Sequence, residues 1–133
     1  MDNVSQDKRS WVMSRVPQKN TVPEMHVRRF LYSRGFRFSL HDKNLPGSPD
    51  IVLYEHKTVI FIHGCFWHGH ENCEHSIRPV SNTLYWNQKL EGNMERDRKN
   101  VSDLNNMGWR VFLVWECEIS TNHLEKLIDD IES

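Results

Sequence analysis

A chain of 133 residues with a hydrophobic share of 38% supplies one small domain with a lean core, which a metal staple would reinforce. A formal net charge of -1 excludes a strongly basic surface, so contact with nucleic acid has to rest on local clusters such as Lys8-Arg9, Arg28-Arg29 and Arg96-Arg98-Lys99, each also readable as a solvated helix face. The start MDNVSQDKRS lacks a signal-type hydrophobic stretch, no run reaches the roughly 18 apolar residues of a membrane span, and three cysteines are an odd count for a disulfide framework, so a cytoplasmic protein with reduced thiols is expected.

Residues up to about Gln18 are polar around a short Trp11, Met13 and Val16 set, too brief for an independent helix. An amino-terminal arm over 1–20 is therefore expected, ordered by packing or by a partner, ahead of a single domain over 21–133. Thr21-Val-Pro-Glu24 has the form of a helix start, with a Thr cap, proline in the first turn and glutamate three residues after the cap. Val27, Phe30 and Leu31 give that helix its apolar stripe, and Gly35 stops it. Residues 36–40 alternate like a half-buried strand, and a turn-rich LPGSP leads into a buried strand over 50–54. Glu55-His-Lys57 turns the chain into a second buried strand over 58–62. Helical composition runs from 83 to 107, with Gly92 as a break or kink and Gly108 as the stop. An apolar strand follows over 109–115, and Ser120 or Thr121 caps a last helix carrying Leu124, Leu127, Ile128 and Ile131. This order predicts an α/β fold, a mixed central sheet flanked by helices.

Two constellations carry chemistry. Asp50 opens one strand and His63 closes its neighbour, so a hairpin brings carboxylate and imidazole together at one end of the sheet. Cys65, Cys73 and Cys117 are all the cysteines of the chain, and with His70 they complete a Cys3His zinc set, His75 being the alternative fourth ligand. Four protein ligands leave no open position, so that zinc is structural. Phe66 and Trp67 lie inside the HGCFWHGH segment, where a knuckle around the metal is expected to push both rings out of the core. The H-x-E and P-C-x-x-C pairing of zinc deaminases is absent.

The segments LPGSPD (45–50), VIFIHGCFWH (59–68), NMERDR (93–98) and GWRVFLVWEC (108–117) together resemble the very-short-patch repair, or Vsr, family of DNA mismatch endonucleases. The resemblance implies a fold similar to the PD-(D/E)XK restriction endonucleases, and nicking of one strand of duplex DNA 5′ of the thymine in a T·G mismatch left by 5-methylcytosine deamination. It implies that Asp50 and the backbone carbonyl of Ile62 bind Mg2+, that His68 is the general base, and that His63 holds metal-bound water or the phosphate. Glu24 matches an acidic position of the metal-water network, a role that competes with helix capping. Phe66 and Trp67 match a major-groove wedge and Met13 a minor-groove one, while Lys89 and Asn93 match positions beside the mispair. A monomer in the bacterial cytoplasm, at the nucleoid, is expected. Functional association with a cytosine methyltransferase and with mismatch-repair and repair-synthesis proteins is implied as well. Two other functions suit parts of the same sequence: a zinc-stabilised DNA-binding module without catalysis, and a general restriction-type nuclease cutting matched DNA.

Overall fold

Prolines, caps and apolar periodicity place the elements of the computed structural model, which describes residues 20–133. Met13 and all but the last residue of the expected arm lie outside the described residues. In chain order the elements are α1 (Val22–Ser33), β1 (Ser39–Leu40), β2 (Ile51–Leu53), β3 (Thr58–His63), α2 (Thr83–Asn106), β4 (Arg110–Trp115) and α3 (Thr121–Glu132). The sheet order is β1-β2-β3-β4, antiparallel through β3 and parallel between β3 and β4, the mixed sheet expected.

Helix α1 starts as its sequence requires. Thr21 Oγ1 accepts the Glu24 N–H at 3.3 Å, and Glu24 Oε1 reaches back to the Asn20 N–H at 3.2 Å, one residue earlier than a standard capping box. Ser120 caps α3 by accepting the His123 N–H.

Two expectations are corrected. The strand expected over 36–40 pairs only at Ser39 and Leu40, because β2 begins after Pro49 and is three residues long. Phe36 and Phe38 pack on the core from irregular chain instead. Gly92 does not break α2, whose 24 residues form one continuous helix. An exposed helical glycine costs about 1 kcal/mol relative to alanine, which a helix of that length and packing absorbs.

Both faces of the sheet are covered, which is why β3 reads as a continuous apolar run. Ile51, Leu53 and Ile60 pack under α1 and α3 with Val27, Leu31, Leu124, Leu127, Ile128 and Ile131. Val52, Val59 and Phe61 pack on the other face with Leu104 and Trp109. Among the described residues no helix is long and apolar enough to cross a membrane.

Candidate active site

Asp50 stands at the head of β2, and the register Ile51↔Ile60 sets it beside the last residues of β3. Its Oδ2 accepts the Ile62 N–H at 2.7 Å, which fixes the carboxylate across the end of the hairpin. Glu24, 1% exposed, approaches from α1, held by an ion pair with Arg28 and by His41 Nε2 at 2.7 Å. His41 Nε2 also lies 3.8 Å from Asp50 Oδ1, and donor atoms of Glu24, His41 and Asp50 all fall within 4.8 Å of one another. Burial, with the Glu24 carboxylate adding to it, raises the Asp50 carboxyl to about 6 against the pull of the Ile62 N–H. Two carboxylates crowded this way, with an imidazole beside them, suit a divalent cation, which would relieve their repulsion.

His63, at the end of β3, and His68 line the same cleft, with rings stacked at 3.8 Å and nearly parallel, 2° apart. Asp97, on the second half of α2, meets His68 Nδ1 at 2.6 Å. Burial, and then the neighbouring His68, depresses His63 to about 3, so its ring is neutral at physiological pH. His63 Nδ1 is buried and has no hydrogen-bond partner among the described residues. Donor atoms of His63, His68 and Asp97 also fall within 4.8 Å. Parallel stacked planes keep the two imidazole lone pairs from converging on one ion, so the geometry suits an oriented imidazole pair better than a metal cage.

Cys65, His70, Cys73 and Cys117 form the second cluster, with donor atoms within 4.8 Å of one another. Cys117 Sγ lies 3.4 Å from His70 Nδ1, whereas His75 is outside the group and lies 4.0 Å from Glu74. The fourth donor in this geometry is thus His70. Burial pushes the Cys65 thiol up, as burial does for Cys117, so without a cation these two stay protonated. Three sulfurs and one imidazole nitrogen match zinc in donor type and number. Trp115 joins the two clusters, stacking on His70 at 4.1 Å and meeting His63 in a T-shaped contact at 5.0 Å.

The aromatic pair divides. Phe66 is 1% exposed and packs with Trp86 and Leu90, which corrects the expectation that the knuckle turns both rings outward: the apolar face of α2 gives Phe66 a better site than solvent. Trp67 is half-buried against the same cluster and lines the cleft. Asn93 Nδ2 donates to the Trp67 carbonyl at 3.1 Å, and Lys89 Nζ lies 5.9 Å from its ring. The cleft between these groups encloses about 630 Å³ and includes Asp50, His63, Trp67, His68, Lys89 and Asn93 in its lining.

The family model described as "DNA mismatch endonuclease Vsr" matches residues 1–75. The chain belongs to the Vsr family. It is 45% identical over 136 residues to the type II nicking enzyme V.NmeAIP of Neisseria meningitidis serogroup A, an alignment covering 98% of this chain and 96% of that protein. It is 48% identical to the type II nicking enzyme V.XorIIP of Xanthomonas oryzae pv. oryzae, covering 90% and 87%. With the DNA mismatch endonuclease Vsr of Escherichia coli K12 it shares 41% identity, covering 92% and 76%. As a Vsr-family protein the chain is a hydrolytic nuclease.

Sequence reasoning missed His41 and Asp97 as parts of the cleft, and Trp115 as the ring that packs against both His63 and His70. Asp97 had a weak signal, as one of two acidic residues, with Glu95, that alternate with the arginines of NMERDR in a helical segment. His41 had none, since its approach to Glu24 spans 17 residues through an irregular connection.

Proposed function

We propose that this chain nicks one strand of duplex DNA on the 5′ side of the thymine in a T·G mismatch, hydrolysing one phosphodiester with the help of a divalent cation such as Mg2+. The observation that carries the reading is the His68–Asp97 pair lining the same cleft as Asp50. Asp97 holds the proton on His68 Nδ1 and leaves Nε2 to accept one from the attacking water. Asp50 and the Ile62 carbonyl would hold the cation, which when bound supplies positive charge to the pentacovalent phosphate and the leaving 3′ oxygen. His63, kept neutral by burial, offers a nitrogen to water or phosphate without competing for the metal's charge.

Mismatch selection falls to the rim of the cleft. Trp67 is a flat side chain at its edge, able to enter a base step whose stacking the mispair has weakened. Lys89 and Asn93 stand beside it, placed for a phosphate and a base edge. Met13 takes the opposite groove by the family resemblance alone. Zinc on Cys65, His70, Cys73 and Cys117 would tie the knuckle that bears Trp67 to the end of β4. Pro49-Asp50 at the head of a strand beside β3 supports a fold similar to the PD-(D/E)XK nucleases, with histidines in the region of the usual Glu-x-Lys. Deamination of 5-methylcytosine is the source of such mispairs, so the enzyme works downstream of a cytosine methyltransferase and upstream of repair synthesis.

Asp50→Ala and His68→Ala, each assayed for cleavage and for binding of the same duplex, test this assignment. Cleavage is expected to fall at least roughly 10²-fold in both, with binding within about threefold of wild type. Cleavage within a few-fold of wild type in either variant refutes it.

A further inference from the structure

We propose that His41 is a ligand of the cation at Asp50, so that this centre is nitrogen-bearing and favours first-row transition cations such as Mn2+ over Mg2+. The inference rests on the nuclease reading only for the place of the cation.

The geometry is local. Asp50 Oδ2 is taken by the Ile62 N–H, which leaves Oδ1 toward the cleft, with His41 Nε2 3.8 Å from it. Glu24 Oε2 is 2.7 Å from the same nitrogen. Cis donors on one octahedral cation, with bonds of about 2.1 Å, stand roughly 3 Å apart, between these two separations. The backbone delivers the ring there by design of the fold: the His41 N–H donates to the Asp50 carbonyl at 3.1 Å, extending the β1–β2 pairing by one residue. His41 is 17% exposed at its side chain and lines the cleft with Asp50 and Ile62.

Glu24 and His41 differ in what they have left to give. Both Glu24 oxygens already have protein donors, Asn20 on one and Arg28 on the other, so Glu24 retains partners if His41 turns its lone pair to a cation. Cation binding takes the His41 tautomer with its proton on Nδ1. Magnesium, a hard ion that keeps its waters, gains little from an imidazole, whereas manganese and the later first-row ions gain a bond. An all-oxygen centre would show a smaller preference.

Pulsed electron paramagnetic resonance of zinc-replete protein loaded with Mn2+ tests the assignment, on wild type and His41→Gln. A nitrogen coupling to manganese is expected in wild type and absent in the variant. The Mn2+ to Mg2+ affinity ratio, from calorimetric titration, is expected to drop about tenfold with the substitution. No coupling in wild type, or the same coupling in His41→Gln, overturns the proposal, and the wild-type result stands whether or not the variant folds. Protein that nicks T·G duplex without a nitrogen coupling refutes His41 alone. Protein that binds manganese through nitrogen yet never nicks refutes the nuclease reading instead.

Discussion

At the scale of single residues, the site is a set of charges held where solvent would not put them. Asp97 lies 29 residues from His68 in sequence and 2.6 Å from it in space, and its value to the reaction is orientation. Asp97→Asn is expected to lower the cleavage rate about 10²-fold or more while leaving DNA binding unchanged, because an amide can present its NH2 to Nδ1 and select the wrong tautomer. Single-turnover kinetics at saturating enzyme would check it. Asp50 yields a prediction with a definite sign. Its folded carboxyl sits near 6 against an ordinary 3.8, so the protonated form belongs to the fold and the stability it contributes is lost as pH rises from about 4 through 6. Metal-free Asp50→Asn should therefore be more stable than wild type at pH 7.5, by on the order of 2 kcal/mol, in urea denaturation. It should be inactive all the same. Protons and cation compete for Asp50, so the acid limb of the pH–rate profile should lie near 6 and move to lower pH as magnesium is raised.

At the scale of elements, β2 and β3 form the hairpin that brings Asp50 beside Ile62 and His63, and α2 supplies the opposite wall with Lys89, Asn93 and Asp97. The hairpin was legible in sequence, since two apolar runs joined by Glu55-His-Lys57 have few other solutions, and Lys57 takes the left-handed conformation that closes the turn. Gly47 was legible only as a turn residue. Its φ of +78° and the closeness of Asn100 of α2, whose side chain a Cβ there would meet at 2.7 Å, show that it also seats the LPGSPD loop. The division of Phe66 from Trp67 was not legible, because adjacent aromatics in a loop carry no periodicity to say which faces the protein. Phe66→Ala should cost about 3–5 kcal/mol in denaturant unfolding, as for a core aromatic. Trp67→Ala should cost less stability and instead narrow the preference for mismatched over matched duplex.

At the scale of the whole molecule, a lean core is supplemented by the four-donor cluster joining the loop after β3 to the turn after β4. Its composition was legible, because it uses every cysteine in the chain. Its consequence for the active site was not, because that passes through Trp115, which touches a zinc-set histidine on one side and a cleft histidine on the other. Chelation of zinc, or Cys117→Ser, should lower the melting temperature by roughly 10 °C or more and depress cleavage with it. Thermal denaturation followed alongside metal content per chain would check both. Substrate choice belongs to this scale, where the cleft sets Trp67 on the same lining as the Asp50 carboxylate. A duplex labelled separately on each strand, offered to the enzyme with Mg2+ as a T·G or a C·G version of one site, tests that most directly. A single nick 5′ of the thymine, confined to the mismatched duplex, is the expected result; cleavage of both duplexes at equal rates, or of both strands, would contradict it.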